Sequence, residues 1–229
     1  MNIIIPLAGP DLFNEFGENK CLSILNGQPL LKIVLESRPW INNTADCKLV
    51  FVFQDETRCK EFFNETIREW YPNAQAVYLS EYTNGAAFSA LAGLSILKDN
   101  APVVIDLADI YYTCTVDVKK VFEDPCIDAL ITTFKSDLPI YSYVELDKDG
   151  IVQKAVEKKV ISDHASSGTY IFRNINSYLY ALNWLLGPGK KYYYNGSAYV
   201  CPILNAFAQV GQKVKNINVK NIIDIKIKK

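Results

Sequence analysis

The sequence predicts an α/β fold: a three-layer sandwich around a mixed, mostly parallel central sheet of the Rossmann-like type. Three observations predict it. The apolar runs of the first half are short, β-branched and bounded by polar clusters, the pattern of strands buried on both faces. Helical patterns lie between those runs, which gives β-α-β order with right-handed crossovers. The chain has 229 residues, 49% of them hydrophobic, enough to bury one large core.

Taken in order, the predicted strands of the first half are Ile3–Leu7, Leu49–Phe53, Ala76–Leu79 and Val103–Ile105. Between them, Pro29–Ser37 carries Leu30, Leu31, Ile33 and Val34 at helical spacing. Asp55–Trp70 carries Cys59, Phe62, Phe63, Ile67 and Trp70, and Gly85–Leu97 is rich in Ala and Leu. The second half predicts strands at Ala129–Phe134, Ser142–Leu146, Ile151–Val156, Ser167–Phe172 and Val214–Val219. The run Asp147-Lys148-Asp149-Gly150 reads as a hairpin turn. Helices are expected at Asn174–Leu186 and Ala198–Val210. No linker or repeat divides the chain. The expectation is one domain over 1–229, with a nucleotide-type front half at 1–112 and an appended mixed half at 113–229.

Charge narrows the partners. A net charge of −1 with no long block of one sign argues against nucleic acid and against a basic membrane-binding face. No apolar stretch reaches the roughly 20 residues of a membrane span. Six cysteines without a CxxC pair read as reduced, mostly buried thiols of a cytoplasmic protein. A single histidine, His164, excludes a multi-histidine metal site.

In open α/β sheets, ligands sit outside the carboxyl ends of the strands. Three loops there carry unusual residues. "LAGPDLFNEFGENK" leaves the first strand at Leu7-Ala8-Gly9 and ends on Lys20. "SEYTNGAAFSALAG" puts Thr83-Asn84-Gly85-Ala86 at the start of a small-residue helix, able to approach a flat base or an anion closely. "VVIDLADIYY" supplies Asp106 and Asp109. A carboxylate at a strand end can hold Mg²⁺ against a phosphate, because Mg²⁺ takes hard oxygen ligands and few protein groups. The structural alternative is that one of the two accepts a neighbouring amide or caps the next segment. Further on, Glu157-Lys158 ends a strand, and Gly168 lies inside one, a mark of close approach by a ligand or backbone.

In combination and order, these motifs resemble the sugar-phosphate nucleotidylyltransferases, a family with a GT-A-like fold. "NKCLSILNGQPLL" is similar to that family's "PKxL…GxPL" pattern through Lys20, Leu22, Gly27, Pro29 and Leu30, with Asn19 in place of the proline. "TNGAAFSAL" resembles its base-contacting loop, "VVIDLAD" its metal-aspartate strand, and Glu157-Lys158 with Gly168-Thr169-Tyr170-Ile171-Phe172 its sugar- and phosphate-contacting block. "YVCPILNAFAQVGQKV" resembles its late helix, and "IIDIKIKK" offers Asp224 where a second metal aspartate falls.

The resemblance implies transfer of a nucleotide from a nucleoside triphosphate to a phosphorylated small-molecule acceptor. Pyrophosphate is released, Mg²⁺ is the cofactor, surface polysaccharide or glycoconjugate synthesis is the setting, and a homodimer is compatible with it. It makes Lys20 and Asp109 catalytic. It places the nucleotide on Leu7, Ala8, Gly9, Thr83, Gly85 and Ala86, the acceptor on Glu157, Lys158 and Gly168, and the metal on Asp109 and Asp224. One departure stands out. The family opens "AGxGxR", whereas this loop has no arginine and carries Asp11, Glu15 and Glu18, which repel a triphosphate unless they point away. A glycosyltransferase using a finished sugar nucleotide, and a non-catalytic nucleotide-binding relative, are the alternative readings.

Overall fold

The computed structural model describes residues 1–42 and 47–224. Of the "IIDIKIKK" run, the last five residues lie outside the described residues.

The first strand, β1 (Asn2–Pro6), is followed by a small hairpin of β2 (Ile24–Leu25) and β3 (Gln28–Pro29). Then come β4 (Lys48–Gln54), β5 (Gln75–Leu79), β6 (Val103–Asp106) and β7 (Ile110–Thr113). The second half adds β8 (Ile127–Lys135), β9 (Tyr143–Leu146), β10 (Val152–Val156), β11 (His164–Phe172), β12 (Lys213–Asn218) and β13 (Lys220–Asp224). The central sheet runs β10-β9-β11-β6-β1-β4-β5, with β8 and β12 joined to it through β11. It is mixed: β6, β1, β4 and β5 are parallel, and β11 runs antiparallel to β6.

Alternation along the buried strands builds the layers. Ile3 and Ile5 of β1 join Phe51 and Phe53 of β4 in one core, with Leu31, Val34, Phe62 and Phe63 from the helical side. Ile4, Val50 and Val52 face the other way, against Ala87, Ala90, Tyr178 and Leu182. Successive side chains of a strand point to opposite faces, so one apolar run serves two cores. The hairpin predicted at Asp147–Gly150 joins β9 to β10.

Several elements differ from expectation. The helix expected over Asp55–Trp70 contains a π segment at Phe62–Ile67. The helix expected at Ala198–Val210 is two short turns, Val200–Ile203 and Asn205–Ala208. Pro202, which lacks an N–H, sits in the first, and Asn205, which opens the second, donates from Nδ2 to the Pro202 carbonyl (2.8 Å). Its side chain accepts from the Ala155 N–H (2.9 Å) and donates to the Ala155 carbonyl (2.8 Å), closing the outer edge of β10. β7 and β13 were not expected as strands. Among the described residues all six cysteines are thiols, but only Cys59 and Cys201 are buried; Cys126 is exposed and the others are intermediate.

At the amino end of the sheet, Asp99 accepts from Asn2 Nδ2 (2.7 Å) and is paired with Lys48. The Lys48 and Asn2 hydrogen bonds bring its carboxyl from 3.8 down to about 2. A depressed carboxyl contributes stability above its unfolded pKa and loses it as pH falls toward the folded one. The native chain should therefore lose thermal stability between pH 4 and 2 more steeply than Asp99→Asn. Melting curves across that window check this; parallel slopes would contradict the pairing.

Candidate active site

A cleft of about 1070 Å³ opens at the carboxyl ends of β1 and β6. Leu7, Ala8, Gly9, Lys20, Thr83, Gly85, Ala86, Asp109, Glu157, Lys158 and Gly168 all line it. Residues from loops far apart in sequence thus meet around one space, as the sheet topology requires of strand-end loops.

The first loop is held at its root by the sheet. The Leu7 N–H donates to the Val52 carbonyl (2.8 Å), and Gln54 Nε2 donates to the Ala8 carbonyl (3.1 Å). Its far part is self-closed. The Lys20 N–H returns to the Leu12 carbonyl (3.0 Å), and the Asn14 side chain accepts from Phe16 (3.0 Å) and Glu18 (2.9 Å) N–H groups. Residues 13–19 are absent from the cleft lining, so Glu15 and Glu18 sit outside it, whereas Asp11 lines it. Lys20 begins a short 3₁₀ turn capped by Asn19, whose side chain accepts from the Cys21 N–H (2.9 Å). The Lys20 ammonium lies 3.8 Å from Asp11.

The two aspartates after β6 have separate fates. Asp106 is fully buried in a pair with Arg38, whose Nε stands 2.7 Å from Oδ2. Arg38 also donates from Nη2 to the Ile110 carbonyl (2.8 Å), and its guanidinium lies 3.6 Å from the Tyr112 ring centre. Asp106 Oδ1 accepts from the Ala108 N–H (2.9 Å). Ala108 has φ +54°, an uncommon conformation for a residue with a side chain. Arg38 and Asp106 thus grip both sides of the turn that presents Asp109 to the cleft. The amide-accepting alternative applies to Asp106.

Gly168 backs that turn. It has φ +82°, and a Cβ there would stand 3.1 Å from Asp109 Oδ1 and 3.3 Å from Leu107 Cβ. Its carbonyl accepts from the Leu107 N–H (3.0 Å). The glycine that interrupts β11 is therefore explained by close approach of the aspartate loop.

Gly85 has a different reason. Its φ is +110°, and a Cβ would fall 2.2 Å from the Ala198 carbonyl oxygen. The Ala198 N–H donates to Asn84 (2.8 Å), and the Ala87 N–H donates to Ala198 (3.1 Å). Packing of two backbones demands the glycine. Thr83 Oγ1 contacts Ser89 Oγ (2.7 Å) and steadies the start of the helix Ala86–Leu94.

Asp224 does not line the cleft. It lies on β13 opposite Ile110 of β7, one residue from Asp109, and accepts a hydrogen bond from the Tyr141 hydroxyl. Tyr141 lines the cleft and also a neighbouring hollow that Asp224 lines. Burial, then the Asp224 hydrogen bond and the charges of Asp224 and Asp109, push the Tyr141 phenol up. Among the described residues no group of three or more His, Cys, Asp or Glu converges on one point. Two carboxylates near one phenol fit a metal that takes one or two protein ligands and fills the rest from phosphate and water.

Sequence reasoning missed Tyr141, Ser142, Ser166, Tyr170 and Tyr199, which also line the cleft. The Ser142 hydroxyl donates to Glu157. Ser166 and Tyr170 share one face of β11, while Tyr141, Ser142 and Tyr199 lie just before an element, and no spacing marks the five as a set. His164 lies against Lys135 and Asp163, away from the cleft lining.

No family model matches the sequence, and no curated protein matches it. Solved structures do resemble it. A nucleoside-diphosphate-sugar pyrophosphorylase from Vibrio cholerae RC9 superposes with a TM-score of 0.83 at 19% identity, covering 98% of this chain and 95% of that one. An inositol-1-phosphate CTP transferase from T. maritima gives 0.68 at 14% identity, covering 97% and 86%. A UDP-glucose pyrophosphorylase complexed with UDP-glucose gives 0.67 at 16% identity, covering 97% and 92%. At these identities the likeness is one of fold. The chain has the α/β fold of nucleotide-sugar pyrophosphorylases and related nucleotidyltransferases, the fold its motifs predict.

Proposed function

We propose that the chain is a nucleotidylyltransferase that joins a nucleoside triphosphate to a sugar phosphate or another phosphorylated small molecule, releasing pyrophosphate. The observation that carries this is the convergence of Lys20, Asp109, Glu157 and Lys158 on one strand-end cleft walled by Ala8-Gly9 and Gly85-Ala86. Residues 1–112 supply the nucleotide contacts and 113–229 the acceptor contacts. Leu7, Ala8, Gly9, Thr83, Gly85 and Ala86 hold the base and ribose; Glu157 and Gly168 face the acceptor's polar groups, and Lys158 its phosphate.

An acceptor phosphate oxygen attacks the α-phosphorus. The new O–P bond forms as the bond to the β-phosphate oxygen breaks, and that electron pair leaves with pyrophosphate. No covalent enzyme intermediate is needed, so positioning and charge neutralisation do most of the catalysis. Lys20 offsets charge on the phosphates as they exchange. Asp109, with Asp224, would hold Mg²⁺, which would supply positive charge against the phosphates. The setting is a cytoplasmic step of surface polysaccharide or glycoconjugate synthesis. No described helix is long and apolar enough to cross a membrane.

The glycosyltransferase reading is less well supported. Asp106 is sealed against Arg38, so Asp106-Leu107-Ala108-Asp109 offers the cleft a single carboxylate. Pyrophosphate release from CTP, GTP, UTP and dTTP with Mg²⁺, screened against sugar 1-phosphates and other phosphomonoesters, tests the proposal. Release with at least one pair is expected. Folded protein that releases none with any pair overturns it.

A further inference from the structure

We propose that Tyr194 and Tyr199 are positioning residues that hold the Lys158 ammonium, without neutralising it, for the anionic group of the acceptor. The identity of the acceptor rests on the nucleotidylyltransferase reading; the anion site itself does not.

The Lys158 ammonium lies 5.3 Å from the Tyr194 ring centre and 5.4 Å from that of Tyr199. The two rings meet nearly edge to face, 6.2 Å apart at 73°. A ring face attracts an ammonium through its quadrupole but carries no net charge. It therefore fixes the cation's place and leaves its full charge for a ligand, which a carboxylate partner does not. The cleft's other lysine shows the contrast, since Lys20 has Asp11 at 3.8 Å. Among the described residues Lys158 takes part in no ion pair.

The support beneath the rings is rigid at both ends. Tyr194 and Ser197 exchange backbone hydrogen bonds (3.1 and 3.0 Å), closing a tight turn. The next residue, Ala198, is fully buried and bonded to Asn84 and Ala87. The tyrosines are thus carried from the Thr83–Gly85 loop across to the lysine. On the lysine side, Lys158 holds φ +47°, a left-handed conformation rare for a residue with a side chain. It follows Glu157, which is occupied by Ser142. An uncommon backbone turn and two aromatic faces thus agree on one place for the charge, at the mouth of the cleft.

Titration with inorganic phosphate, followed by calorimetry, tests the site without requiring turnover. Saturable binding is expected for the wild type and its loss for Lys158→Met, which leaves the tyrosines in place. The double variant Tyr194→Leu/Tyr199→Leu should bind about five- to tenfold more weakly, from two lost cation–π contacts. The double Phe variant, which keeps both rings, should stay within about twofold. No saturable phosphate binding to folded wild type, binding retained by Lys158→Met, Leu binding equal to wild type, or Phe losing as much as Leu each overturns the proposal. With an active substrate pair, the Leu variants should raise the acceptor KM and leave the nucleotide KM unchanged; a rise in both overturns selective positioning. If no pair turns over, the reaction reading fails, while the phosphate titration still decides this one.

Discussion

Asp109→Asn should lower kcat about 10²- to 10³-fold, on the scale of removing one transition-state-stabilising group from a preorganised site. Asp109 faces the cleft at the apex of a turn whose shape is set by others: Asp106 accepts the Ala108 amide, Arg38 donates to Ile110, and Gly168 leaves room behind. The amide keeps the shape of the carboxyl and removes its charge. If the carboxylate serves a divalent ion, raising Mg²⁺ should recover part of the activity. Unchanged turnover in Asp109→Asn would remove the metal assignment and, with it, the proposed role of Asp224.

Arg38→Met should destabilise the chain by about 3–5 kcal/mol, the range for removing one partner of a buried ion pair. Both side chains of the pair are fully buried. Burial disfavours the guanidinium charge, yet Asp106 and the neighbouring groups outweigh that and hold its pKa above the ordinary value. Methionine replaces the volume, but the Asp106 carboxylate is left without its cation and the Ile110 carbonyl without its donor. Denaturant unfolding of the two chains measures the difference. The double variant Arg38→Met/Asp106→Leu should recover much of the loss, because no lone charge remains. A single variant as stable as wild type would mean that water reaches Asp106.

The fold was readable where a segment's fate depends on its own pattern. Ile3–Leu7 and Leu49–Phe53 are apolar at every position because both faces are covered, and the strands are found there. β13 was not readable in this way. "KNIID" is amphipathic and short, and it becomes a strand only because β7 lies beside it. Likewise, the break in the last expected helix depends on Asn205 finding the edge of β10. In the site, Gly168 was legible as a close approach, and the neighbour proves to be the Asp109 loop. Gly85 was legible as a helix start open to close approach, but the neighbour that demands the glycine, Ala198, lies more than a hundred residues on. Arg38 carried no signal at all: one arginine at the end of a helical run looks like a surface residue until its carboxylate is placed. The acidic stretch in the first loop looked hostile to phosphate because sequence gives charge without direction. The Asn14 turn supplies the direction for Glu15 and Glu18, while Asp11 stays in the cleft beside Lys20.

The pairing of β13 with β7 sets when the site can exist. Asp224 reaches the neighbourhood of Asp109 only across a register that joins residue 224 to residue 110. Contacts so far apart in sequence must first meet the entropy of closing the intervening loop, so they form after local structure. The loop carrying Asp109 can take shape on Arg38 and Asp106 beforehand. The second carboxylate comes alongside only with β13, and it stands behind the Tyr141 hydroxyl rather than in the cleft itself.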